Sequence, residues 1–333
     1  MRMVAVLLSV LLAASAVPSW AVSLTGINIA GGEFGGLQAV YGKNYIYPDL
    51  AQMRALRDLG MTVIRMPVRW ERVQPALGQP LDPAEMARID SVIDAASAMQ
   101  MSVIIDIHNY ARYARQPLGS AGLPASSLRD LWARLAVRYR DNDRVIFGLM
   151  NEPVKISAPA WAAAAQDALL GIRAAGARNL VLVPGAYWSG AHSWTRKGSF
   201  PSNGEAMLGF HDPGDNFAFD FHQYFDANSS GTTATCVAPA IAEKRLAVAT
   251  DWLRQTGNRG FLSEFGVSRA PECAAVLTAA LQHLAANKQW LGWTIWGSSA
   301  WFGDYQFNLY PLQSPVPPQL AILKPFLAVG PAQ

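Results

Sequence analysis

The sequence predicts a (β/α)8 barrel, and three observations carry that prediction. Eight short apolar runs recur along the chain with helix-like stretches between them, which is the pattern of parallel β/α units. The interiors of these runs are rich in Val, Ile, Leu and Phe and do not alternate with polar residues, as strands covered on both faces require. Six of the runs end in groups that can ionise, hydrogen-bond or stack, and in a barrel those C-terminal ends converge on one face. The open doubly wound alternative lacks its usual phosphate turn. Gly31-Gly32-Glu33-Phe34-Gly35-Gly36 is glycine-rich, but it has neither GxGxxG spacing nor a Lys-Ser/Thr pair. It reads as a loop that lets backbone approach a ligand or a neighbouring helix.

The strands are expected at residues 23–30, 62–68, 102–108, 145–151, 180–184, 218–224, 260–265 and 291–296. Helices are expected between them at 49–59, 83–99, 126–139, 159–175, 239–256 and 272–287, while a seventh, after Pro184, is poorly marked. Pro83 and Pro159 stand where a first helical turn tolerates proline, and Gly60 and Gly176 stand where helices stop. Asp82 has the character of an N-cap, with Glu85 at capping-box spacing. The proline-rich stretch 311–318 introduces one last helix, 318–328.

Half of the 333 residues are hydrophobic and 15% are charged, which suits one large compact domain. The formal charge of +3 is mild and the Lys and Arg are scattered, so nucleic acid is excluded as an expected partner. Residues 1–21 read as an export signal: Arg2 supplies a positive start, residues 4–17 are nearly all apolar, and Ser19-Trp20-Ala21 offers small residues for cleavage after Ala21. Cleavage after Ala16 fits the same rule. Residues 22–333 then form a single domain, a secreted or periplasmic monomer with no membrane segment once the signal is removed. Cys236 and Cys273 would enter an oxidising compartment, so a disulfide between them is expected, two free thiols being the alternative. With so few Cys and no His at ligand spacing, a metal site there is not expected.

The strand ends carry the chemistry. Strand two ends in Arg65-Met66-Pro67, strand three in Asp106-Ile107-His108-Asn109, strand four in Asn151-Glu152-Pro153, strand six in His222-Gln223-Tyr224, strand seven in Glu264-Phe265-Gly266 and strand eight in Trp296-Gly297. Two of these groups, Glu152 and Glu264, are glutamates. Hydrolysis of a glycosidic bond needs such a pair, one protonated to assist the leaving oxygen and one ionised to attack or stabilise the anomeric carbon. Arg65 and Tyr224 are the groups available to hold Glu264 anionic. Glu152 would stay protonated through lower solvation and the nearby charge of Glu264. Two carboxylates suffice for this reaction, so neither a metal nor an organic cofactor is implied.

On these residues the chain resembles glycoside hydrolase family 5. The resemblance spans residues 23–310 and rests on Arg65 in VIRMPVRW, His108 in IIDIHNY, Asn151 and Glu152 in GLMNEP, His222 and Tyr224 in DFHQY, Glu264 in FLSEFG and Trp296 in GWTIWG. It implies a retaining enzyme in which Glu152 is the acid/base and Glu264 the nucleophile. Arg65 and Tyr224 would orient Glu264, Asn151 would bond the sugar 2-hydroxyl, His108 and His222 would line the cleavage subsite, and Trp296 would lie under the sugar. LTGINIAGGEFG, YIYP and VPGAYWSGAHSW look similar to endoglucanases, which makes an endo-β-1,4-glucanase acting on β-1,4-glucan the expected activity. A mannanase or xyloglucan-active enzyme is the alternative within the family, and a noncatalytic glycan-binding barrel the remote one. Trp188, Trp194 and Trp301 fall in post-strand loops and are candidates for stacking sugars at outlying subsites. Trp132, Trp161 and Trp252 fall on helices and are read as packing, as are His192, His211 and His283.

Overall fold

The computed structural model describes residues 22–327. The proposed signal, 1–21, and residue 328 of the last expected helix lie outside the described residues. Eight strands form the barrel: β1 Leu24–Ile29, β2 Val63–Val68, β3 Ser102–Ile107, β4 Val145–Gly148, β5 Val181–Pro184, β6 Phe217–Tyr224, β7 Gly260–Gly266 and β8 Trp290–Ser298. They pair in parallel in sequence order, and β8 closes onto β1. All eight lie where the apolar runs place them. β4 stops three residues short of the expected end, although the amides of Leu149 and Asn151 still bond the carbonyls of Leu182 and Ile107.

The two-residue period of a strand divides the barrel interior into an apolar floor and a polar layer above it. Val63, Ile104, Ile146, Leu182, Ala218 and Phe261, one from each of β2 to β7, pack together as the floor. Two residues further along their strands, Arg65, Asp106, Asp220 and Ser263 replace the hydrocarbon, and all four are buried. The larger core fills the space between the outer faces of the strands and the helices.

The helices are Leu50–Asp58, Pro83–Ala98, Ser126–Tyr139, Ala158–Ala174, Pro239–Thr256 and Cys273–Ala286, within a residue or so of expectation. Asp82 caps the amide of Glu85 at 2.7 Å, but the reciprocal half of the expected capping box does not form. Glu85 is buried and accepts instead from the hydroxyls of Tyr45 and Tyr47, with Arg88 paired beside it. A complete box forms at Ser202 and Glu205 on the short helix Asn203–Ala206. With two single turns, Tyr187–Ser189 and Ala191–Ser193, that helix stands in for the poorly marked seventh helix. Tyr187, Trp188 and Ser189 all have positive φ, which interrupts any helical period there. The last helix ends at Leu323, because Pro325 cannot donate to continue it and the chain tightens into the turn Lys324–Phe326. Cys236 and Cys273 are joined as a disulfide.

The glycine-rich loop after β1 packs closely on Pro67 and Tyr47 and is bonded by Arg72 of the short helix Trp70–Val73. A Cβ at Gly32 would lie 2.4 Å from the carbonyl of Pro67 and 2.6 Å from the Tyr47 ring. Arg69 and Arg72 pin the loop through the carbonyls of Glu33, Gly32 and Phe34. Sequence periodicity gave no sign of the four-residue helix Trp70–Val73 or of the hairpin Arg112–Tyr113 with Gln116–Pro117, because each is too short to show one.

Candidate active site

The polar layer of the barrel rises into a cluster at the C-terminal ends of the strands, and Arg65 is its centre. Its guanidinium is buried and donates to Asn28 Oδ1 at 2.7 Å, Glu264 Oε2 at 3.0 Å and Asn151 Oδ1 at 2.7 Å, and it pairs with Asp106 Oδ2 at 3.0 Å. Such a planar fork of donors joins several acceptors in one fixed geometry, which Lys could not do. Burial alone would lower the Arg65 pKa, but the charges of Asp106, Glu264 and Asp220 outweigh it and hold the guanidinium charged. Asn28 is oriented in turn by donating to the carbonyls of Ser263, Thr294 and Ile295.

Glu264, near the end of β7, receives Arg65 on Oε2 and the Tyr224 hydroxyl on Oε1 at 2.8 Å. Burial would raise its pKa. The charges of His222, Arg65 and His108 and the Tyr224 bond overcome that, so the carboxyl is held below its usual range. The expected pair of supporters, Arg65 and Tyr224, is thus joined by two histidines whose contribution the sequence did not reveal. His222 lies between the carboxylates, with Nδ1 2.9 Å from Glu152 Oε1 and 3.8 Å from Glu264 Oε2, and Nε2 3.1 Å from Ser263 Oγ. Burial disfavours its charged form, yet Glu264 and Glu152 together push its pKa up. His108 behaves likewise: Asp106 Oδ2 at 2.7 Å overrides burial and raises it. The His108 ring stacks on Trp296, with centroids 6.1 Å apart and planes 25° apart.

Glu152 follows β4 with φ of 43°, a left-handed conformation that non-glycine residues rarely adopt. Its carboxylate meets only His222 among the described residues, and the carboxylate oxygens of Glu152 and Glu264 approach within 4.8 Å of each other. Glu152 is the more solvated of the two carboxyls, although it too is largely withdrawn from water. Its side chain is 16% exposed against 8% for Glu264, because the open cleft adjoins it whereas Glu264 sits among its donors. Asn151 Nδ2 is buried and has no hydrogen-bond partner among the described residues. Glu152, His222 and Glu264 also offer three donor atoms spaced to hold a cation.

Beside Glu152 opens a cavity of about 810 Å³, bordered by Tyr187, Trp188, His192, His222 and Tyr224. Trp188 is 55% exposed there, as a stacking residue should be, and Trp301 is also exposed. Trp194 is not available for stacking. It is fully buried against Phe219, Phe221 and Trp252, because the turn Ala191–Ser193 folds its ring onto the barrel wall. His192 departs from the packing role expected of it: it lines the cavity, its Nδ1 3.1 Å from Gln223 Oε1. His283 packs as expected, Nε2 2.8 Å from Thr250 Oγ1, and His211 is exposed. Trp132, Trp161 and Trp252 are buried as expected.

Residues 21–299 match the model of the Cellulase family (glycosyl hydrolase family 5). The chain belongs to glycosyl hydrolase family 5. Endo-beta-1,4-glucanase B of Aspergillus niger is 33% identical over 289 residues, 86% of this chain and 84% of that protein. Among solved structures, endo-beta-1,4-glucanase Xac0029 from Xanthomonas axonopodis pv. citri superposes with a TM-score of 0.90 and 42% identity, covering 92% of this chain and 98% of that one. XacCel5A, solved in complex with cellopentaose, has the same TM-score and identity and is covered to 99%. Four further polar residues support the site of this family 5 barrel: Asn28, Asp220 and Ser263, which lie outside the strand-end groups, and Asp106, which stands in that of strand three. Each is a polar residue inside an otherwise apolar strand, and that interruption is the signal that marks it.

Proposed function

We propose that this family 5 member is an exported, retaining endo-β-1,4-glucanase, with Glu152 as acid/base and Glu264 as nucleophile. The approach of the two carboxylates to within 4.8 Å carries the reading, since retaining glycosidases set them about 5 Å apart and inverting ones leave room for a water between them. Glu152 donates its proton to the glycosidic oxygen while a Glu264 oxygen bonds the anomeric carbon and the C–O bond to the leaving sugar breaks. Glu152, now ionised, takes a proton from water, whose oxygen displaces Glu264 and restores the original configuration. Arg65 and Tyr224 aim Glu264, and the Asn151 amide supplies a donor for the 2-hydroxyl of the reacting sugar. His108 and His222 line the cleavage subsite, and Trp296 lies under the sugar. Residues 1–21 serve as a cleaved export signal, and residues 22–333 act as one catalytic domain and as a monomer.

The glucanase assignment rests on the glucanase relatives and the cellopentaose complex of a structural neighbour. Reducing-sugar release and viscosity loss from a soluble cellulose, glucomannan and xyloglucan test it. Rapid viscosity loss on the cellulose is expected, and strong activity confined to a mannan would refute it.

A further inference from the structure

We propose that the leaving-group end of the cleft is a carboxylate-recognition subsite, suited to β-1,4-glucan that bears anionic substituents on the sugars leaving with the acid/base. This rests on the reading of Glu152 as acid/base, because the 810 Å³ cavity borders Glu152 and not Glu264 and is therefore on the side of the departing oxygen. A second cavity of about 420 Å³ adjoins it across His192, Arg196, Asn228 and Ser229, and Lys244 and Arg245 line its far side. The path from Glu152 thus runs past four cations, Arg196, Lys197, Lys244 and Arg245. Among the described residues, Glu152 is the one carboxylate that lines either cavity.

The cations differ in how far their charge is already met. Arg245 is fixed by the carbonyls of Tyr224, Asp226 and Ala227 at 2.7 to 3.0 Å, with the Asp226 carboxylate nearby. Lys197 is paired with Glu205 at 2.8 Å. Arg196 and Lys244 are exposed, and neither side chain bonds a carboxylate among the described residues. The field of Arg196 reaches the cleft. Burial holds the His192 imidazole below its ordinary range against the opposing bond to Gln223, and the charges of Arg245 and Arg196 add to it, so it stays neutral and can bond sugar hydroxyls. A neutral glucan chain has nothing to set against Arg196 and Lys244, whereas a carboxylate-bearing one meets both.

The test compares carboxymethylcellulose with neutral hydroxyethylcellulose of matched length, as the ratio of kcat/KM on the two polymers. The enzymes are the wild type, Arg196→Gln, Lys244→Gln and the double variant. Arg254→Gln, which removes an exposed cation elsewhere on the helix Pro239–Thr256, controls for net charge. The ratio should fall about two- to fivefold for each groove cation removed, the range expected of exposed ion pairs. It should hold for Arg254→Gln. Raising the salt should lower the wild-type ratio and move that of the double variant much less. An equal change on both polymers, no change, or the same change in Arg254→Gln would overturn the inference. Failure of the wild type to cleave either polymer would instead overturn the glucanase reading, and the inference with it.

Discussion

Replacing Tyr224 by Phe removes one oxygen from a buried site, so its effect can be worked from the geometry. The Tyr224 hydroxyl is the one donor to Glu264 Oε1 among the described residues, at 2.8 Å, while Arg65 holds Oε2. A hydrogen bond to a charged group contributes about 1.5–3 kcal/mol, so its loss corresponds to roughly 10- to 150-fold in an equilibrium between ionised and neutral Glu264. The direction is fixed by linkage. Glu264 titrates below its ordinary range in the folded protein, so its ionised form adds stability that is present above the unfolded pKa and lost as pH falls through the folded one. In Tyr224→Phe that increment shrinks, so urea unfolding at pH 7 should show a loss of about 1.5–3 kcal/mol that narrows in acid. The acid limb of kcat/KM on an aryl cellobioside should move to higher pH, with the rate loss largest on that limb. An acid limb unmoved from that of the wild type would refute the claim that Tyr224 holds the nucleophile ionised.

Glu264→Gln keeps the shape of the side chain but not its charge, and should remove nearly all turnover while leaving sugar binding measurable by calorimetry; wild-type rates would reassign the nucleophile. For Glu152→Ala, rates should fall by about 10²- to 10⁴-fold on cellulose but much less on aryl glycosides with acidic leaving groups, which need less protonation. Exhaustive treatment with a chelator should leave activity unchanged, although Glu152, His222 and Glu264 are spaced to hold a cation; loss restored by a divalent metal would contradict the two-carboxylate mechanism. The Cys236–Cys273 disulfide spans a sequence separation of 37, so replacing both by Ser should cost about 4 kcal/mol by loop-closure entropy, read from the urea midpoint.

The barrel was legible because buried parallel strands announce themselves as unbroken apolar runs, and because Asp82, Pro83, Gly60 and Gly176 punctuate the helices by fixed backbone rules. The segment after Pro184 was not, since its turns are set by left-handed residues and by Trp194 inserting into the wall, both tertiary effects. At the site, strand-end motifs disclosed Glu152, Glu264, Arg65, His108, His222, Tyr224, Asn151 and Trp296, with Arg65 lying in the polar layer inside the barrel and the others toward the C-terminal ends of the strands. The supports at Asn28, Asp220 and Ser263 were harder to read, because they sit below the rim where only a polar residue among apolar neighbours betrays them. Solvation of the two carboxyls could not be inferred at all from strand position. It depends on which side the cleft opens, and this cleft opens beside Glu152. Trp188 and Trp194, six residues apart in one loop, show the same limit, the first exposed over the cleft and the second wholly buried.

The central claim, attack by Glu264 with Glu152 serving as acid and then base, is tested most directly by proton NMR of the first product released from a cello-oligosaccharide, recorded before mutarotation. Double displacement across carboxylates this close predicts the β-anomer at the new reducing end. First appearance of the α-anomer would mean a single inverting displacement and would contradict the account.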